Sequence, residues 1–213
     1  MAILFAPDSV FLQRFLRAGN YYRHDIDGLI GPLTRTALEL FDADSANLRS
    51  ELGAFDKRTE GTIATMLGPT QRAARKFMAA TSGAGLTSGF TVRLISGTRT
   101  FAEQDKLYAQ GRTEPGNVVT CARGGQSNHN YGIAWDVGIF TAAGKYIDDL
   151  AEKGQMKSKD VEAEYLKLGP VGRGMGLYWG GDWAKPDRPH FQMLDNDQLS
   201  TVRDKFLNGG TIV

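Results

Sequence analysis

Apolar positions recur at helical spacing early in the chain. Over 9–18 (SVFLQRFLRA), Phe11, Leu12, Phe15 and Leu16 form one stripe. Asp8 or Ser9 supplies a cap at its start, and Gly19 ends it. Gly31-Pro32 opens a second helix, because a proline in the first turn forfeits only an N–H that has no partner there. Leu33, Ala37, Leu38 and Phe41 mark its inward face. The DIDGLIG segment between the two is turn-rich. The first 65 or so residues therefore read as a compact helical unit. A further helix over 69–80 turns Ala73, Ala74, Phe77 and Met78 inward.

The period then changes. SGAGLTSG at 82–89 reads as a loop, and TVRLIS at 91–96 alternates like a strand. Thr100 and Glu103 make a capping box for a helix reaching about Gln110. Ile133, Trp135, Val137 and Ile139 alternate again as a half-buried strand. Ser158 starts a helix with Val161, Tyr165 and Leu168 inside, short strands follow near 176–179 and 189–194, and Leu199, Val202 and Phe206 give a closing helix. Strands separated by long, uneven segments predict an α+β fold rather than a regular βαβ array.

Composition adds bounds. The 213 residues are 41% hydrophobic and 23% charged, enough for a real core without disulfides. The net charge of +1 gives no reason to expect a nucleic-acid partner. The single cysteine, Cys121, has no partner for an internal disulfide and reads as a passive thiol. No apolar run suits a membrane span, and MAILFAPDSVFLQRF lacks the layout of a secretory signal. We expect synthesis in the cytoplasm and no membrane insertion.

The chemistry concentrates in two segments. Of three histidines, His24 has no companion pattern, while His129 lies in SNHNYGIAWD (127–136) and His190 in GGDWAKPDRPHFQM (180–193). Alternation puts Asp136 on the strand face opposite Trp135 and Val137, with small neighbours at Gly132, Ala134 and Gly138. A carboxylate there is costly without a partner, and a cation is a natural one. Two imidazoles and one carboxylate match a catalytic zinc site, which leaves a fourth position for water. Asp187, three residues before His190, is placed to take a proton if the turn at Pro186–Pro189 folds it back; Asp182 is its rival, and a plain turn role is the alternative. Tyr178, Trp179 and Trp183 read as core or rim more than as a substrate groove.

These segments resemble the M15 peptidases, zinc D-Ala-D-Ala carboxypeptidases and L-Ala-D-Glu endopeptidases. The family pattern S-x-H-x-x-G-x-A-x-D is filled by Ser127, His129, Gly132, Ala134 and Asp136, and its later acidic-x-x-H step by Asp187 and His190. SGTRT at 96–100 matches a family arginine pattern and points to Arg99. The resemblance implies one Zn2+ per chain on His129, Asp136 and His190, with Asp187 as catalytic base. It implies an active-site role for Arg99, on a developing oxyanion or a substrate carboxylate, and substrate positioning by Gln104 and Ser127. It also implies a small antiparallel sheet with flanking helices, of the zinc DD-peptidase/hedgehog-like type. An Asp at 187 resembles the endopeptidase branch that includes phage endolysins.

The front of the chain is similar to helical peptidoglycan-binding domains, through Leu12-Gln13, Leu16, Gly19, Asp27-Gly28, Gly31, Thr34 and Ala37. The expected division is a small all-helical domain over 1–68 and a zinc peptidase domain over 69–213. The expected function is hydrolysis of peptidoglycan stem peptides at L-Ala-D-Glu by a monomer, reaching the wall through phage-mediated release. The rivals are D-Ala-D-Ala carboxypeptidase action and a catalytically silent wall-binding protein.

Overall fold

The computed structural model describes residues 3–212. Four helices come first: α1 (Ser9–Ala18), α2 (Pro32–Leu52), α3 (Lys57–Ile63) and α4 (Gly68–Ala80). Asp8 caps α1 by accepting from Phe11 N–H at 2.9 Å. Strand β1 (Thr91–Ser96), helix α5 (Phe101–Ala109) and strand β2 (Ala134–Phe140) follow. Next come α6 (Ile147–Glu152), α7 (Ser158–Leu166) and α8 (Leu168–Gly174), then strands β3 (Tyr178–Trp179) and β4 (His190–Gln192), and finally α9 (Leu199–Asn208). The mixed helices and small antiparallel sheet are the α+β arrangement that the changing periodicity predicts.

Two details of the helices differ from the sequence pattern. α2 continues to Leu52, and its inward positions are Thr34, Ala37, Phe41 and Leu48. Leu33 points outward, 54% exposed. Thr34 goes inside because its hydroxyl accepts from Gln13 Nε2 at 3.2 Å and donates to the Leu29 carbonyl at 3.1 Å. A satisfied buried hydroxyl lets α2 rotate Leu33 away from the core. The short helices α3, α6 and α8 carry too few apolar positions to show a period.

The sheet has four antiparallel strands in the order β1-β2-β4-β3. One face carries Val92, Leu94, Trp135, Val137, Ile139 and Phe191, all buried. Helix α4 covers it through Phe77, whose ring lies 4.5 Å from Phe191 and 6.1 Å from Trp135. The opposite face positions the site. Register places Ser96 across from Asp136, and Asp136 across from His190. A bulge between Leu94 and Ser96 re-aims the end of β1 and brings Ser96 into that row.

A second core joins the two ends of the chain. Phe11, Phe15 and Leu16 of α1 and Phe41 of α2 pack with Tyr131, Ile133, Val202 and Phe206. Residues on both sides of position 68 share this cluster. Leu67 N–H also donates to the Gly132 carbonyl at 3.1 Å.

Candidate metal centre

His129 sits on a 3-10 turn, Asn128–Tyr131, just before β2. Ser127 caps the turn, its Oγ accepting from His129 N–H at 3.4 Å. Gly132 ends it with φ of +70°, a left-handed conformation open to glycine. A Cβ at Gly132 would lie 2.8 Å from the Phe15 ring, so the second core also requires this glycine. The turn is tied to the segment after β1: Arg99 N–H donates to the His129 carbonyl at 3.1 Å, and Asn130 Nδ2 donates to the Arg99 carbonyl at 2.9 Å.

His129 Nε2, His190 Nδ1 and Asp136 Oδ1 form a nearly equilateral triangle. Each imidazole nitrogen is 3.1 Å from the carboxylate oxygen, and the two nitrogens are 3.2 Å apart. The outer partners fix what these atoms are. His129 Nδ1 faces the Gly97 carbonyl at 2.7 Å, so it carries the proton of a neutral ring and leaves Nε2 bare. His190 Nε2 faces Gln192 Oε1 at 2.8 Å. Gln192 is held in that orientation because its Nε2 donates to the Leu194 carbonyl and Asn196 Oδ1, at 2.8 and 3.0 Å. His190 Nε2 is therefore the protonated nitrogen, and Nδ1 is bare.

With both rings neutral, three lone pairs converge with no proton among them. That is repulsive unless a cation sits between them. A tetrahedral zinc with bonds of about 2.0–2.1 Å sets its ligand atoms about 3.3–3.4 Å apart, close to the observed edges. The donor set, its spacing and its fixed tautomers fit the metal that the sequence pattern implies.

The electrostatics show where positive charge is favoured. Burial opposes the charge on Asp136, but His129 and His190 outweigh it and hold the carboxyl well below the usual carboxylate range. Burial lowers the pKa of His129, which favours the neutral, ligating ring. Burial would also lower His190, but the hydrogen bond and charge of Asp136, with Asp187 further off, raise it. The pocket draws positive charge.

Arg99 braces the carboxylate from behind. Its Nη2 donates to Asp136 Oδ2 at 2.6 Å, and both Nε and Nη2 donate to Ser96 Oγ, at 3.0 and 2.7 Å. Its Nη1 donates to Gln104 Oε1 at 3.1 Å. Gln104 is fully buried and uses its amide on Thr120 Oγ1 and the Ala122 carbonyl. Gln104 therefore reaches the site through Arg99, and Ser127 through the His129 turn.

Asp187 is near the triangle. The residue as a whole is exposed, but desolvation of its carboxyl by its neighbours and the charge of Asp136 raise its pKa. The 187–190 turn folds back because Asp187 N–H donates to the Gly180 carbonyl at 2.8 Å, and Gly180 has no Cβ to collide with Asp187 and His190. The rival Asp182 is exposed and paired with Arg173 at 2.6 Å. Trp183 lies over His190, ring centres 4.9 Å apart, while Trp179 is buried and Tyr178 is exposed. His24 lies away from the centre, in contact with Tyr22, and Cys121 is exposed and free.

Sequence reasoning passed over Ser96, Gly97 and Gln192. Gln192 was within reach of it: two residues after His190 on a strand, it must share the same face.

An open three-ligand centre of this kind on a small antiparallel sheet is that of a metallohydrolase. A family profile of M15 peptidases, described as D-alanyl-D-alanine carboxypeptidase, matches residues 120–193. The chain is 41% identical over 118 residues to the peptidoglycan L-alanyl-D-glutamate endopeptidase CwlK of Bacillus subtilis (strain 168), covering 55% of this chain and 69% of that one. A crystal structure of Serratia marcescens L-Ala D-Glu endopeptidase ChiX aligns with 22% identity and a TM-score of 0.44, over 68% of this chain and 92% of that one. The chain belongs to the M15 peptidase family.

Proposed function

We propose that this chain hydrolyses the amide between L-Ala and D-Glu in peptidoglycan stem peptides, using zinc held by His129, Asp136 and His190. The observation that carries the reading is the convergence of three bare donor atoms at 3.1–3.2 Å, each fixed from outside. The choice of bond rests on the 41% identity to CwlK.

Zinc bound there supplies a Lewis acid for the scissile carbonyl and lowers the pKa of a water toward about 7. Asp187 takes the proton from the attacking water and returns it to the leaving amine; its raised pKa suits that exchange. Arg99 keeps the Asp136 carboxylate aimed. Trp183 backs the His190 ring and limits water on that side. The helical segment 1–68 is read as a wall-anchoring unit, which raises the effective concentration of the scissile bond. Among the described residues no helix is long and apolar enough to cross a membrane. Release to the wall by a phage route belongs to the same reading.

Mass spectrometry of digested peptidoglycan tests the function. A new free amine on D-glutamate is expected, abolished by chelation and restored by zinc. Release of free D-alanine from intact stems would instead support carboxypeptidase action, the activity in the family description. Full activity after chelation would overturn the metal mechanism.

A further inference from the structure

A cavity of about 840 Å³ opens beside the metal centre on its β1 side. Ser96, Gly97 and Arg99 form its inner end, and the start of α3 forms its outer end. Ile95, re-aimed by the bulge, lies along the floor between them. The wall is rich in cations: Lys57, Arg58, Arg93 and Arg99 all line it.

The fixed charges there are not equivalent. Arg99 is consumed by Asp136. The two acids are consumed as helix caps. Asp56 accepts from Arg58 N–H, Thr59 N–H and the Thr59 hydroxyl, and Glu103 accepts from Thr100 N–H and its hydroxyl. The charge of Arg93 reaches Asp56, yet no ion pair within 4 Å involves Arg93 or Arg58 among the described residues.

Both guanidinium groups are held over one ring. Arg93 lies 4.8 Å and Arg58 5.8 Å from the centre of Phe140, which is itself stacked on Tyr146 at 5.2 Å. Arg93 stands on the same sheet face as Asp136, because it pairs with Gly138 in register. Two positive groups are thus preoriented on an aromatic shelf along one side of the reactive centre, with their hydrogen-bond donors uncommitted to an anion.

We propose that Arg58 and Arg93 form an anion-binding subsite that holds a carboxylate of the stem peptide on the amine side of the scissile bond. This rests on the stem-peptide reading above. On that substrate the carboxyl-donating side leads to a neutral sugar, whereas the departing amine side carries the free carboxylates. The cation-rich groove therefore sets which way the peptide lies across the centre, with its departing half along β1. Arg58 and Arg93 determine specificity; they do not take part in bond breaking.

The test compares a soluble stem peptide having free carboxylates with the same peptide amidated at each of them. Holoenzyme is expected to prefer the free form by about tenfold in kcat/KM, mostly through KM. In R58Q/R93Q that preference should fall to near unity, and R58K/R93K should restore part of it. Melting temperatures and zinc content of each variant guard against misfolding. Equal preference in wild type and R58Q/R93Q overturns the subsite, as does a loss confined to kcat. If neither peptide is cut by wild-type protein while wall fragments are, the stem-peptide reading itself fails, and binding of the two peptides by calorimetry then decides the subsite alone.

Discussion

Arg99 and Asp136 meet at 2.6 Å through Nη2 and Oδ2, on the side of the carboxylate away from the two imidazoles. The same aspartate thus faces the proposed metal with one oxygen and a fixed guanidinium with the other. Partners of ligands usually matter nearly as much as the ligands. Arg99→Gln is expected to weaken zinc binding about 10–100-fold, measured by competition with a chromophoric chelator. Unchanged zinc affinity with lost turnover would put Arg99 on the substrate instead.

Gln192 performs the matching task for His190. It accepts from His190 Nε2 at 2.8 Å and from Asn128 Nδ2 at 2.9 Å, and so selects the ring tautomer that leaves Nδ1 bare. Gln192→Leu removes both acceptor contacts at a site 1% exposed. Zinc affinity should again fall about 10–100-fold, and a lower melting temperature should accompany it. Wild-type affinity in this variant would show that the tautomer is fixed by something else.

Asp187 is separable from the ligands. Its turn is held by backbone hydrogen bonds to Gly180, so an isosteric change leaves the loop in place. Asp187→Asn should keep full zinc content and lose about 10²–10⁴-fold in kcat. Zinc content by atomic absorption, with kcat on the same sample, distinguishes a base from a residue that merely supports the centre. Loss of metal would assign it the supporting role.

Much of this was legible before any coordinates. β2 was readable because large apolar residues alternate with small ones around Asp136, and that phase alone set the carboxylate apart from the core. The pattern over 127–136 and the Asp187–His190 spacing named the triangle. What sequence did not show depends on register. Ser96 enters the row through a bulge, and Arg99 reaches Asp136 from another strand end. Leu33 looked inward by spacing, but the Gln13–Thr34 bond outranks it. Gln13 and Thr34 are polar, and nothing in one-dimensional periodicity says that two polar groups will satisfy each other inside.

Stability far from the centre depends on Arg75, which is 2% exposed and donates to both oxygens of Glu60 at 2.9 Å and to the Gly53 carbonyl. Arg75→Ala leaves the mostly buried Glu60 with only the exposed Arg49 at 3.6 Å and the Phe55 N–H, and should cost about 3 kcal/mol in urea unfolding. Burial tends to raise the Glu60 pKa, but the Arg75 bond outweighs it and the folded value lies below 4.5. A depressed folded pKa contributes stability above pH 4.5 that is lost as pH falls through the folded value. The difference in stability between wild type and Arg75→Ala should therefore narrow on acidification below that point. A gap that widens there would refute the assignment.

Gly132 links the N-terminal helices to the metal centre. It follows His129 by three residues, adopts φ of +70°, and has Phe15 and Leu67 pressed against the position where a side chain would begin, at 2.8 and 3.0 Å. A methyl group there meets a strained backbone and two core side chains at once. Gly132→Ala should cost about 1–3 kcal/mol from the left-handed conformation, and a comparable amount from overpacking. Whichever way the structure yields, the 3-10 turn must shift, and His129 moves with it. Zinc affinity should therefore fall together with the unfolding midpoint, although residue 132 touches no donor atom. Gly61→Ala, on an exposed face of α3 with nothing within 4 Å, is the control: it should leave zinc affinity unchanged and raise the unfolding midpoint slightly, since alanine is the better helix former. Should Gly132→Ala unfold early yet bind zinc as tightly as wild type, the second core would not be what positions His129.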